Sequence, residues 1–134
     1  MEIPEIFKKK KILIVDDVSS IRMLARSMLL EVGFRYVAQA KNGLEALNLL
    51  RRKHFDLIIC DWNMPVMDGL KLFKEIDADP ELKNIAFIML TSSSESEKVK
   101  AAISLGVTAY ILKPFNPNTL VKHILEALQK TIDS

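Results

Sequence analysis

The chain has 134 residues, 49% hydrophobic and 27% charged, a balance that fits one soluble globular domain. A net charge of +2 is too small to imply a nucleic-acid binder, and no apolar run is long enough to cross a bilayer. Cys60 is the single cysteine, which excludes an intramolecular disulfide and fits a reducing compartment; there it reads as a small apolar residue of a buried strand.

Residues 1–10 read as an N-terminal tail, and the Lys8-Lys9-Lys10-Lys11 run, just before the first apolar strand, as solvated. Glu2 and Glu5 leave no apolar h-region, so no signal peptide is expected and the location implied is cytoplasmic. The domain spans 11–131, followed by a short tail at 132–134, with nothing left over for an output domain.

From residue 12 onward, strand and helix alternate five times. Residues 12–15 form an apolar run that ends at Asp16-Asp17. Ile21, Leu24, Ala25, Met28, Leu29 and Val32 then recur at helical spacing, with Ser19 or Ser20 as N-cap and Gly33 as C-cap. A second strand covers 36–40, and Asn42 caps a helix carrying Leu44, Leu47 and Leu50. The third strand, 55–60, is the most continuous and leads into Asp61. Asn63-Met64-Pro65 breaks the chain, and Asp68-Gly69 turns it into a helix with Leu72, Phe73 and Ile76 inward. The fourth strand, 85–90, ends at Thr91. Ser94 and Glu97 have capping-box spacing at the head of a helix with Val99, Ala102 and Ile103 that stops at Gly106. The fifth strand, 109–112, ends at Lys113. Asn116-Pro117 opens a last helix with Leu120, Ile124 and Leu128 as its buried stripe. Such alternation predicts parallel βαβ units in a doubly wound sheet.

The chemistry gathers at strand ends. In an open α/β sheet, ligands bind beyond the carboxyl ends of the strands. Asp16, Asp17 and Asp61 would repel one another there, and a hard divalent cation such as Mg²⁺ relieves that repulsion. Lys113 beside them suits an anionic group such as a phosphoryl. The pattern suggests metal-assisted phosphoryl chemistry. His54 and His123 have no metal-site partners at suitable spacing, and no Walker-A or G-x-G-x-x-G loop indicates direct nucleotide binding.

Four motifs in order carry a resemblance over residues 11–130: Val15-Asp16-Asp17; the string from Asp61-Trp62-Asn63-Met64-Pro65 to Asp68-Gly69; Leu90-Thr91; and Tyr110-Ile111-Leu112-Lys113-Pro114-Phe115. The chain resembles two-component response-regulator receiver domains, and within them the single-domain CheY-like chemotaxis regulators. The resemblance implies a flavodoxin-like five-stranded parallel sheet, order 2-1-3-4-5, with five helices on two faces. It implies a signalling protein that takes up phosphate with Mg²⁺ and loses it slowly, not a conventional enzyme. Asp61 would be the phosphoacceptor for a histidine kinase. Asp16, Asp17, Asp61 and the Asn63 backbone carbonyl would hold Mg²⁺. Lys113 and Thr91 would meet the phosphoryl oxygens, with Lys113-Pro114 in the cis form, and Asn63 and Ser93 would tune hydrolysis. Trp62 would lie at the mouth of the site and report on it. Tyr110, together with Thr91, would be the switch. Without that context Tyr110 reads as an edge-strand aromatic.

The implied output face joins the fourth helix, fifth strand and fifth helix, through Ser96, Val99, Ile103, Tyr110, Leu112 and His123. The resemblance also implies a monomer whose partners are a histidine kinase, the flagellar switch protein and a phosphatase, with no nucleic acid or membrane. Three departures stand out. Ser93 replaces an acidic residue, Val18 stands where a phenylalanine is frequent, and Ser96 and His123 occupy positions where enteric relatives present lysines. Losing two cations weakens steering toward an acidic motor peptide. The competing readings are a phosphate sink or phosphorelay shuttle, a Mg²⁺ phosphatase and a constitutive binding module. The phosphatase needs a second acid two residues past the nucleophile, where Asn63 stands. The intact acid set argues against a constitutive module.

Overall fold

Five short runs rich in Ile, Leu and Val form the strands, since β-branched and apolar side chains suit a sheet covered on both faces. The computed structural model describes residues 2–92 and 96–133. In chain order the elements are α1 (Glu5–Lys8), β1 (Lys11–Val15), α2 (Ser19–Glu31), β2 (Tyr36–Ala40), α3 (Gly43–Arg52) and β3 (Leu57–Asp61). There follow α4 (Gly69–Asp77), β4 (Ala86–Thr91), α5 (Ser96–Ser104), β5 (Ala109–Leu112) and α6 (Pro117–Asp133). The sheet is parallel throughout, in the order β2-β1-β3-β4-β5 expected from the sequence.

Alternation along each strand divides the core in two. Leu13, Val15, Ile58, Cys60, Phe87 and Met89 face the layer built from α3, α4 and α5. Ile12, Ile14, Leu57, Ile59, Ile88 and Leu90 face the layer of α2 and α6. Phe73 of α4 meets Phe87 edge-on, with ring centroids 5.3 Å apart. Full burial of one large apolar side chain contributes about 1.5–3 kcal/mol, so both layers are needed to hold the sheet.

Helix starts follow local chemistry. Asn42, Asp68 and Asn116 each accept a backbone N–H from the first turn of the helix they precede. The Ser19 or Ser20 cap is not found. Val18 is the N-cap of α2, and its N–H donates to Asp16 Oδ1 at 2.9 Å, so the acid organises that turn. Leu24 is also corrected: it is 51% exposed, not inward. Of the Ser94–Glu97 capping box, Ser94 lies outside the described residues.

The description of residues 1–10 as a tail is corrected as well. Glu5–Lys8 forms a sixth helix, α1, and Ile3 and Phe7 are buried against the α2 and α6 layer. The Ile3 N–H donates to the Val32 carbonyl at 3.0 Å, which fixes this segment to the end of α2. Among the described residues no helix is long and apolar enough to cross a membrane.

Candidate functional site

Strand register brings the site together. Val15 pairs with Cys60, so Asp16 and Asp61 leave the sheet side by side. Asp61 pairs with Leu90, and Thr91 with Leu112, so Thr91 and Lys113 close the same end. Carboxylate oxygens of Asp16, Asp17 and Asp61 lie within 4.8 Å of one another. Asp16 is fully buried, Asp61 is 7% exposed and Asp17 is open to solvent. The lysine ammonium sits 2.8 Å from Asp61 Oδ1 and 3.3 Å from Asp16 Oδ2.

Burial pushes the Asp61 carboxyl above its ordinary range; the Lys113 hydrogen bond opposes this, and the charges of Asp16 and Asp17 add to the rise. For Lys113, burial works against the ammonium. The hydrogen bond and charge of Asp61, with help from Asp16, outweigh it and hold the group above its usual value. An all-oxygen set of three carboxylates, one solvent-facing, fits a hard divalent cation such as Mg²⁺.

The backbone around Asp61 is closely held. Cys60 is fully buried, and its Sγ–H donates to the Asp61 carbonyl at 3.2 Å. Burial, then the neighbouring carboxylates, pushes this thiol well above its ordinary value. The Gly69 N–H donates to the Trp62 carbonyl at 2.8 Å and brings the start of α4 against the acceptor. Any Cβ at Gly69 would stand 2.5 Å from the Asp61 carbonyl oxygen, so only glycine fits. Between them, Val66 is 88% exposed with φ +70°, inside a tight turn closed by the Met67 N–H on the Pro65 carbonyl. A β-branched residue is strained there, and buried Met64 and Met67 hold the turn from either side.

Thr91 is fully buried and donates to the Ser92 carbonyl at 3.1 Å. Lys113-Pro114 is cis, as expected. Trp62 differs from expectation: it is 5% exposed and packed into the core, not open at the mouth of the site. Tyr110 is half-buried against the core and lines a groove of about 500 Å³ with Ile103, Leu112 and His123. His123 Nδ1–H donates to the Thr119 carbonyl at 3.0 Å. Ser93 and the side chains of Ser96 and Val99 lie outside the described residues.

Arg22 was not singled out from the sequence. Its Nη1 donates to the Asp16 carbonyl at 2.6 Å and its Nε to Gln39 Oε1 at 3.3 Å, tying the acid turn to β2. Its place in the first turns of the helix leaving the acid strand was the available signal.

The sequence of residues 12–125 matches the response regulator receiver domain. The chain belongs to the receiver-domain family. Over 113 residues the receiver is 43% identical to chemotaxis protein CheY-3 of Vibrio cholerae, covering 84% of this chain and 87% of that protein. It is 36% identical over 120 residues to chemotaxis protein CheY of Pseudomonas aeruginosa, covering 90% and 97%. The solved structure of Vibrio cholerae CheY4 superposes with a TM-score of 0.82 at 37% identity, covering 89% of the receiver and 98% of that chain. These similarities make the receiver a CheY-like, two-component signalling domain rather than a conventional enzyme.

Proposed function

We propose that this receiver accepts a phosphoryl group on Asp61 from the phosphohistidine of a chemotaxis-type histidine kinase and signals through the face formed by α5, β5 and α6. The observation that carries the reading is the Lys113 ammonium, seated 2.8 Å from Asp61 within the trio of carboxylates at the strand ends. The oxygen not engaged by Lys113, Oδ2, attacks phosphorus. An O–P bond forms, the P–N bond breaks, and the departing imidazole keeps the electron pair. Asp16, Asp17, Asp61 and the Asn63 carbonyl are the residues that would hold Mg²⁺. When bound, the ion supplies positive charge against which the anionic phosphoryl and carboxylate can approach.

Lys113 then exchanges part of its contact with Asp61 for a phosphoryl oxygen. Thr91 gives up its bond to the Ser92 carbonyl and donates to another, and Tyr110 turns into the space vacated. That is a shift between two packings biased by one new charged group. Asn63 and Ser93 govern access of hydrolytic water. The chemotaxis names of the relatives support a chemotactic output. On this reading its target is the flagellar motor switch, reached in the cytoplasm by a monomer that a phosphatase resets. Ile103, Tyr110 and Leu112 supply an apolar contact there, with His123 at its edge.

The test is anisotropy of a labelled N-terminal segment of the flagellar switch protein from the same genome, with and without Mg²⁺ plus beryllofluoride. Trp62 fluorescence monitors occupancy. Binding that tightens only on activation is expected, and Asp61→Asn should abolish both the response and acid-labile phosphate. A Trp62 response without peptide binding would instead make the receiver a phosphate sink or shuttle. Phosphate retained on Asp61→Asn would overturn the acceptor assignment.

A further inference from the structure

The run Lys8-Lys9-Lys10-Lys11 is divided by the fold. Lys8 turns back to Glu5 at 2.8 Å and Glu2 at 3.5 Å. Lys9 and Lys11 instead line a groove of about 670 Å³ at the amino ends of β1 and β2. Lys53 and His54, just past α3, close its other side, and half-buried Ala38 and buried Phe55, on the same face of the sheet, form its apolar floor. Tyr36, 49% exposed, stands at the rim with Lys11 Nζ 6.0 Å from its ring centroid.

Lys9, Lys11 and Lys53 are exposed, and among the described residues none has a carboxylate within 4.0 Å of its ammonium. Asp56, which follows the floor residue Phe55, is already engaged by the Lys11 N–H at 2.8 Å and by His54 at 3.0 Å. Three uncompensated cations around an apolar floor call for an anionic partner with an apolar anchor.

We propose that this groove docks a short acidic peptide segment of a partner protein. An apolar side chain sits on Ala38 and Phe55, and flanking carboxylates meet Lys9, Lys11 and Lys53. The concave shape suits a peptide better than a flat bilayer. No glycine-rich turn or long-helix N-terminus contributes backbone donors to the lining, as a nucleotide phosphate would favour. Recognition is by side chains, because the Val37 carbonyl on the β2 edge is taken by Arg26 Nε at 3.1 Å, which discourages strand addition. From Lys11 to Asp16 the chain rises about 16 Å along β1, so an occupant here leaves the acid trio open. The groove is therefore a tether whose affinity is the same in both phosphorylation states, and it stands independently of the role proposed for Asp61.

The probe is a fluorescein-labelled Glu- and Asp-rich peptide with a central Leu and Phe, followed by anisotropy on the full chain. Saturable binding is expected, weakened about tenfold or more by the combined Lys9→Glu, Lys11→Glu and Lys53→Glu variant and by raised salt, and unchanged by Mg²⁺ with beryllofluoride. Circular dichroism and the Trp62 response to beryllofluoride establish that the variant is folded. Should it melt early, Lys53→Glu alone must still weaken binding several-fold. The proposal is overturned by failure of the wild type to bind, or by equal binding of an acidic peptide without the Leu and Phe. It is also overturned if a poly-dT oligonucleotide or phosphatidylserine vesicles bind more tightly than the peptide, or if beryllofluoride changes peptide affinity.

Discussion

Gly69→Ala places a methyl group where no atom fits. The new Cβ would stand 2.5 Å from the Asp61 carbonyl oxygen, 2.7 Å from Met89 Sδ and 3.1 Å from Trp62 Cα, whereas ordinary contact begins near 3.4 Å. Met89 can swing its sulfur aside. The other two atoms are backbone, held by the Cys60 thiol and by the Gly69–Trp62 hydrogen bond, so the start of α4 has to retreat. Overpacking of this kind costs about 1–3 kcal/mol. Alanine recovers at most about 1 kcal/mol of helix propensity, and less at the first helical residue. The expected net loss is about 1–2 kcal/mol, read from urea unfolding followed by Trp62 fluorescence. Because the displaced peptide carries the acceptor, beryllofluoride affinity should fall as well. Gly106→Ala is the control. Its φ of +117° makes alanine strained, but the new Cβ would meet only Phe73 Cζ, at an ordinary 3.5 Å, so stability should drop while beryllofluoride affinity holds. A Gly69→Ala protein within about 0.5 kcal/mol of wild type, with unaltered beryllofluoride affinity, would refute the reasoning.

Three further outcomes are expected. Phe7→Ala should lower the unfolding free energy by about 3 kcal/mol, as for a buried aromatic, whereas a solvated tail would give no change in the urea midpoint. Without metal, Asp61→Asn should melt above the wild type at neutral pH. The raised carboxyl makes ionisation oppose folding; that cost is complete above the folded pKa and fades as pH falls toward the unfolded value near about 3.9, so the advantage of the variant should shrink in acid. Melting curves at several pH values decide it, and an advantage that grows on acidification contradicts the sign. Lys113→Ala leaves Asp16 and Asp61 without their cation, so the metal-free protein should lose stability and Mg²⁺ should raise its melting temperature more than that of the wild type, as calorimetry would reveal.

The strand order and the convergence of Asp16, Asp17, Asp61, Thr91 and Lys113 were legible because apolar runs ending in charged residues mark the carboxyl edge of a parallel sheet. What was hidden depends on contacts distant in sequence. Ile3 and Phe7 carry no periodic signal, and only the packing of α2 and α6 gives them a place to bury. Leu24 matched the helical spacing, yet it falls outside the stripe that faces the sheet. The cap of α2 was misassigned because the Ile21 and Arg22 N–H groups, which a serine side chain at the helix start would accept, go to the Val18 carbonyl, while Asp16 holds the Val18 N–H. Trp62 lies inside because the turn through Val66 folds Met64 and Met67 inward around it.

Cys60 gives this arrangement a clock. Its thiol is sealed beneath the acceptor, fully buried and held in its protonated form, so an alkylating reagent can reach it only when the sheet opens at that point. Under native conditions the labelling rate measures how often the floor of the pocket comes apart. Occupants of the pocket that brace this floor will slow the reaction by the factor with which they suppress that opening.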